Sequence, residues 1–175
     1  MRTRLTFFAA GALGAILSLS VASFPQQNIK KDYLSDAEAD KIRDAGNSNG
    51  RMVLFASFAD DRINKLKYVL AHPNGDRRRA DQINALINGY SGCIDDAADL
   101  IEVAKERQQD IRAGLKALTS KAKEALPYLL DLQKNGPELE TYKSTLDDAI
   151  EATQDALTDA QKAEKSISAP IRRKQ

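Results

Sequence analysis

Apolar residues recur along this chain at alternating steps of four and three, the spacing of one face of an α-helix. The clearest run is Ile83, Ile87, Tyr90, Ile94, Ala97, Ile101 and Ala104, and its phase continues through Ile111, Leu115, Leu118, Ala122, Ala125, Leu129 and Leu132. From Leu34 onward there is no sustained two-residue alternation and no pair of strand-like runs around a hairpin turn. The sequence therefore predicts an all-α fold.

Start and stop signals divide this pattern into helices. Ser35–Glu38 is a capping box, which predicts a short first helix that ends near Ala45, before the break at Gly46–Gly50. A second helix is predicted over Arg51–Ala71, because His72–Gly75 carries the Pro and Gly that stop a helix.

The long heptad region leaves two arrangements open. Either one continuous helix runs over Ile83–Leu132, or two helices meet within Arg107–Gly114. Pro127 is expected to kink the segment without ending it. Gly136 is predicted to form a left-handed C-cap, and the last helix is predicted over Pro137–Ser166.

Short turns between long amphipathic helices make consecutive helices antiparallel neighbours. We therefore expect an up-and-down antiparallel bundle of about four long helices plus a short N-terminal helix. Two helical hairpins in tandem, sharing a continuous central helix, are the competing shape. The segment Tyr90–Asp99 also aligns with Tyr142–Glu151, which suggests an internal duplication of a hairpin, with a chance match between amphipathic helices as the equal alternative.

The N-terminus has the outline of a secretory signal peptide over residues 1–22. Arg2 and Arg4 provide a basic start, and Leu5–Leu17 is an uncharged apolar run that is short for a membrane span. Cleavage is expected after Ala22 or after Ser23, and an uncleaved N-terminal anchor helix is the alternative. We therefore predict an exported protein, periplasmic or extracellular, without a transmembrane segment once the signal is removed.

The rest of the chain divides into three parts. Residues 23–34 are expected to form a flexible arm, residues 35–167 the helical bundle, and residues 168–175 a basic tail.

The composition excludes several function classes. With 26 Lys+Arg and 25 Asp+Glu the formal net charge is +1, so the chain lacks the basic field of a dedicated nucleic-acid binder. One Cys and one His exclude zinc ribbons, di-Cys redox centres and disulfide frameworks. Because no nucleophile, base and orienting group can be assembled, we predict no catalytic residue, no cofactor and no enzymatic activity.

Carboxylates lie beside the apolar face of the third and last helices. We call these the acidic stripes: Asp95, Asp96, Asp99 and Glu102 in one, and Asp147, Asp148, Glu151, Asp155 and Asp159 in the other. Carboxylates three or four residues apart share a helix face, so two facing stripes would suit a hard cation such as calcium. The candidate metal ligands are Asp95, Asp99, Asp148, Glu151 and Asp155. A solvated face balanced by basic residues of adjacent helices is the alternative.

Arg77, Arg78 and Arg79 form the only basic triplet outside the tail. Cations at the start of a helix are locally unfavourable, so their presence indicates a patch that binds phosphate or lipid headgroups. The alternative is a soluble turn in which Asp76 and Asp81 neutralise the arginines.

Four other residues stand out on chemical grounds. Cys93 is predicted to be a buried packing residue rather than a nucleophile. Gly89 and Gly92 indicate a close helix approach or a bend around Tyr90, with a ligand slot as the less favoured alternative. His72 is predicted to cap the helix that precedes it.

Three segments carry a family resemblance: Arg51–Arg62 with its Phe58 and Ala59, Gly114–Leu118, and Thr145–Glu151. In these segments the chain resembles small exported all-helical bacterial proteins that have no assigned function. The resemblance implies export from a bacterial cell and a helical fold, and it implies no catalytic residue.

These expectations lead to one functional hypothesis and one alternative. The hypothesis is a non-enzymatic binding or structural module of the periplasm or cell envelope, which associates with an envelope partner or with a second copy of the chain. The alternative is a protein that binds divalent cations or an anionic surface, using the acidic stripes or the arginine triplet.

Overall fold

The computed structural model describes residues 32–167, so the predicted signal peptide, most of the predicted arm and the basic tail lie outside the described residues. Within this range the chain is helical and contains no strand, which confirms the all-α prediction. The helices are α1 (Asp36–Asp44), α2 (Ser48–Ala71), α3 (Arg79–Glu106), α4 (Arg112–Asn135) and α5 (Lys143–Ser166), with a 3₁₀ helix over Leu139–Thr141.

Side-chain caps set the first two helix starts. The predicted capping box is confirmed, because the Ser35 hydroxyl accepts a hydrogen bond from the Glu38 N–H and the Glu38 carboxylate accepts one from the Ser35 N–H. Helix α2 begins at Ser48, one turn earlier than predicted. The Asn47 side chain accepts a hydrogen bond from the Gly50 N–H at 2.8 Å and so caps the helix within the predicted break.

The long heptad region is two helices, so of the two arrangements that the sequence left open, the break within Arg107–Gly114 is the one observed and the continuous helix over Ile83–Leu132 is wrong. Gln108 has a φ of 53°, a left-handed conformation that reverses the chain between α3 and α4. The side-chain oxygen of Gln109 accepts a hydrogen bond from the Ser48 N–H at 3.2 Å. This contact fixes the turn to the start of α2.

The predicted left-handed C-cap at Gly136 is wrong. Gly136 has φ −64° and ψ 136°, and the left-handed residue is Glu138, with a φ of 57°. The glycine is needed for space, because an added Cβ would collide with the Leu132 carbonyl oxygen and the Tyr142 hydroxyl. Pro127 lies inside α4 and, as predicted, does not end it.

The start of the last helix also differs from the prediction. Helix α5 begins at Lys143 rather than at Pro137, because the 3₁₀ helix Leu139–Thr141 intervenes. The Tyr142 hydroxyl donates a hydrogen bond to the Pro137 carbonyl at 2.7 Å, which closes this turn against α5.

The four long helices form a ring in the order α2, α3, α5, α4, since each packs extensively on its two neighbours while α3 and α4 contact each other little. Consecutive helices are antiparallel, as predicted, but α3 and α4 lie across the bundle from each other, so the expectation that every short turn joins neighbouring helices is wrong at this turn. The neighbours α3 and α5 are therefore parallel, in agreement with two side-chain hydrogen bonds that follow the same order along both helices: Thr145 to Asn84 at 2.6 Å near their starts, and Tyr90 with Thr153 at 2.8 Å near their midpoints. Helices α2 and α4 are also parallel neighbours, joined by a 3.3 Å ion pair between Asp60 and Lys121.

The predicted duplication is not reproduced in the structure. Tyr90 lies inside α3, whereas Tyr142 precedes the first residue of α5. The aligned segments therefore occupy different positions in their hairpins. The apolar residues of the heptad pattern, by contrast, all lie buried in the bundle core.

Candidate functional site: a charged cleft between α3 and α5

The carboxyl-terminal halves of α3 and α5 enclose a cleft of about 530 Å³ at one end of the bundle. The turn between α3 and α4 closes its base. The lining residues are Ala98, Ile101, Glu102, Lys105, Gln109, Ile111, Asp159, Lys162, Ala163, Ser166 and Ile167. A volume of several hundred Å³ with mixed apolar and polar walls is typical of sites that bind small molecules.

The rim of the cleft carries one acid–lysine pair from each helix. Glu102 and Lys105 of α3 lie 3.4 Å apart, and Asp159 and Lys162 of α5 lie 2.9 Å apart. All four side chains are more than half exposed. Exposed pairs of this kind contribute little to stability, so an incoming charged group can replace the partner at small cost.

Part of each acidic stripe lies on the helix face that borders the cleft, whereas Asp147 accepts a hydrogen bond from Gln133 of α4 at 2.6 Å. Asp95 and Asp99 share a face of α3 with Glu102, and Asp148 and Asp155 share a face of α5 with Asp159. Because α3 and α5 are parallel neighbours and both Glu102 and Asp159 line the cleft, helical spacing places the other four carboxylates on the same two faces, along the helices away from the cleft. We define the acidic groove by six carboxylates: Asp95, Asp99 and Glu102 of α3, and Asp148, Asp155 and Asp159 of α5.

The candidate metal ligands are all exposed: Asp95, Asp99, Asp148, Glu151 and Asp155. Among residues 32–167, no group of three or more His, Cys, Asp or Glu side chains is arranged to hold a metal ion. The structure therefore brings part of each stripe to one groove but does not gather their carboxylates around a point. Asp96 departs from its stripe and is only 7% exposed.

The arginine triplet is not one exposed patch. Arg77 and Arg78 are exposed, whereas Arg79 is only 6% exposed. Its Nε donates to the Glu138 carboxylate at 3.1 Å, and its Nη1 donates to the Val69 carbonyl at 2.7 Å. Arg79 therefore joins the end of α2 to the turn before α5, and the predicted three-arginine surface for anions is wrong at this residue.

A buried polar cluster ties the segment before α1 to the bundle. We call it the N-terminal latch and define it by Tyr33, Glu38, Arg62 and Asp96. Arg62 is 9% exposed; its Nη2 donates to the Glu38 carboxylate at 2.6 Å and to the Tyr33 carbonyl at 3.2 Å. The Tyr33 hydroxyl donates to the Asp96 carboxylate. Sequence reasoning missed this cluster, since its members lie far apart in the chain.

The pKa values of two carboxyl groups in the latch are shifted in opposite directions. The bidentate hydrogen bonds from Arg62 lower the pKa of Glu38 to about 2. Burial, with a smaller effect from the neighbouring charge of Asp99, raises the pKa of Asp96 to about 7.

The helical glycines explain how the latch fits. An added Cβ at Gly92 would lie 2.7 Å from a ring carbon of Tyr33, and one at Gly89 would lie 3.3 Å from Arg62 Cγ. The predicted close approach is therefore confirmed, with the Tyr33 ring in the space where a ligand slot was the alternative. Cys93 is fully buried in the core, as predicted.

His72 occupies the predicted capping position at the end of α2. Its Nδ1 lies 2.8 Å from the Tyr68 carbonyl oxygen, and its ring stacks on the Tyr68 ring with 4.2 Å between centroids. Neither residue lines the cleft, so His72 has a local structural role in this part of the chain.

Comparisons of the chain with protein families, with curated proteins and with solved structures give no match. None of the helices between residues 32 and 167 has the length and apolar character that a membrane crossing requires.

Proposed function

We propose that the protein is an exported, non-enzymatic binding module of the periplasm or cell envelope. The observation that carries this proposal is the cleft between α3 and α5, which combines an apolar interior with a charged rim. A small amphiphilic molecule fits this chemistry best. Its apolar part would pack against Ile101, Ile111 and Ile167, and its charged group would exchange partners with the rim pairs.

The chemistry of the rim supports binding rather than a reaction. Its titratable groups are two carboxylates and two lysines, and each is more than half exposed beside a neighbour of opposite charge. A general acid or base usually has a proton affinity shifted by burial or by a specific partner. Of the carboxyl groups with strongly shifted pKa values, Glu38 and Asp96 belong to the latch, and Asp110, which is paired with Arg112 in the turn between α3 and α4, does not line the cleft.

The binding part of the proposal can be tested with the amphiphilic dye 8-anilinonaphthalene-1-sulfonate. Ala98→Phe places a ring in the cleft, whereas Ala85→Phe places the same ring at an exposed site on the same helix. We expect dye fluorescence to saturate with the native protein and with Ala85→Phe, and the Kd to rise at least about tenfold with Ala98→Phe. Equal dye affinity in both variants, with unchanged unfolding temperatures, would contradict the proposal.

The export part of the proposal rests on the sequence of residues 1–22 and is tested separately. The full precursor is produced in a bacterial host, and the intact mass of the protein is measured in the periplasmic and cytoplasmic fractions. We expect a periplasmic product cut after Ala22 or Ser23, and an unprocessed cytoplasmic product when Ile16→Arg interrupts the apolar run. A native product that keeps its full mass in the cytoplasm would refute export.

A further inference from the structure

The chain continues beyond the cleft as a basic segment. Ile167 follows the last residue of α5 and itself lines the cleft. The next residues, 168–175, lie outside the described residues and have the sequence Ser-Ala-Pro-Ile-Arg-Arg-Lys-Gln. This segment therefore leaves the bundle at the edge of the cleft and combines one large apolar residue, Ile171, with three consecutive cations.

The surface beside this exit has the opposite charge. The acidic groove presents six carboxylates, and two of them, Glu102 and Asp159, are paired with Lys105 and Lys162 of the cleft rim. Asp99, Asp148 and Asp155 are exposed. Because exposed charges act over a Debye length of about 8 Å at physiological salt, a cationic segment next to the groove is attracted to it.

The length of the segment also matches the distance from its attachment point to the carboxylates. An extended segment of eight residues reaches about 26 Å from its attachment point. The distance back along α5 from Ser166 to Asp155 is about 17 Å at the helical rise of 1.5 Å per residue. The cations that follow Ile171 can therefore reach the carboxylates of Asp99 and Asp155 while Ile171 lies within the cleft.

We propose that residues 168–175 of the same chain dock in the cleft between α3 and α5. Ile171 packs against the apolar interior formed by Ile101, Ile111 and Ile167, and the three following cations lie along the acidic groove. Attachment at the edge of the cleft favours the chain's own tail over a second copy, because a short tether gives an effective concentration in the millimolar range. The tail therefore competes with the ligand for the cleft, a consequence that rests on the proposed function.

Disulfide trapping tests the docking directly. In a Cys93→Ala background, Pro170→Cys, which leaves Ile171 in place, is combined either with Ala98→Cys inside the cleft or with Ala113→Cys, which is exposed at the same end of the bundle. Bond formation is followed by intact mass in a glutathione redox buffer. We expect the bond from Ala98→Cys to form at least about tenfold faster than the bond from Ala113→Cys, in line with the effective concentration of a docked segment.

The charge contribution is tested in the same pair of proteins. Arg172→Gln, Arg173→Gln and Lys174→Gln remove the cations, and we expect the rate advantage of the cleft position to fall to within about twofold of the control position. Equal rates at the two positions before neutralisation, or an advantage that survives it, would overturn the proposal. A disulfide that links two copies instead of closing one chain would also overturn it.

A second measurement separates this proposal from the proposed function. The dye Kd is compared between the native chain and the variant with the three neutralised cations. Tighter dye binding by the neutralised variant, by about threefold or more, supports competition between tail and ligand. Trapping in the cleft without dye binding would refute the ligand proposal alone, whereas dye binding without trapping would refute the tail proposal alone.

Discussion

Asp96→Asn should make the protein more stable at alkaline pH, because it removes a carboxylate that ionises in a buried position. Asp96 is 7% exposed, and its pKa is raised from 3.8 to about 7. The folded state therefore holds this proton more tightly than the unfolded state. Stability is greatest while the group is protonated, falls as the pH rises from about 4 to about 7, and is constant above that range.

The size of the stability change follows from the shift in the pKa of Asp96. One pKa unit corresponds to about 1.4 kcal/mol, so the ionisation of Asp96 costs about 4 kcal/mol in full and about 3 kcal/mol between pH 5 and pH 8. The asparagine side chain keeps an oxygen that accepts the Tyr33 hydroxyl hydrogen bond and carries no charge. We expect the native protein to lose about 3 kcal/mol over this range relative to Asp96→Asn.

Urea unfolding at pH 5, 6, 7 and 8 measures this difference. Asp81→Asn, at an exposed aspartate on the same helix α3, is the matched control and should keep the pH dependence of the native protein. Glu38 does not interfere, because its pKa of about 2 places its titration below this range. The reasoning is refuted if Asp96→Asn retains the native pH dependence, or if it is less stable than the native protein at pH 8.

Three further predictions concern the buried contacts. Glu38→Gln should lower the free energy of unfolding by about 2 kcal/mol at pH 7. This loss should disappear as the pH falls from about 4.5 toward 2, because the native carboxylate then loses its charge as well. Urea unfolding midpoints measured across this acid range check the prediction. Gly92→Ala should cost about 1–3 kcal/mol through collision with the Tyr33 ring, and in thermal unfolding most of that cost should vanish in a Tyr33→Ala background. Arg79→Met should cost about 1–2 kcal/mol, because it removes the hydrogen bonds from Arg79 to the Val69 carbonyl and to the Glu138 carboxylate, and a comparable loss should be absent for the exposed Arg77→Met.

The fold class could be predicted from sequence because each long helix buries a continuous apolar stripe. The capping box at Ser35–Glu38 could also be predicted, because it involves only residues that are close together in sequence. The break near Gln108 could not be chosen over a continuous helix, because α3 and α4 keep the same apolar phase across it. The cap at Gly136 was misassigned because steric crowding, not a left-handed backbone, requires glycine there.

The candidate site was only partly predictable. The acidic stripes were visible as helical spacing, but their meeting along one groove depends on α3 and α5 being neighbours, which helix spacing does not determine. The pairing of Arg62 with Glu38 depends on how α1 lies against α2, and single-sequence reasoning has no access to that. The glycines at positions 89 and 92 were the sequence signal for the latch, since they mark the place on α3 where the Tyr33 ring packs.

The order of the helices in the ring also has a consequence for how the chain folds. Contacts within each hairpin join segments that are adjacent in sequence, whereas a contact between the hairpins such as Tyr90 with Thr153 joins residues 63 positions apart. Closing long loops costs more conformational entropy and slows folding. Helices α2 and α3, which share the most extensive interface, can associate while α5 is still being synthesised, and docking of the two hairpins becomes the late step that completes the cleft.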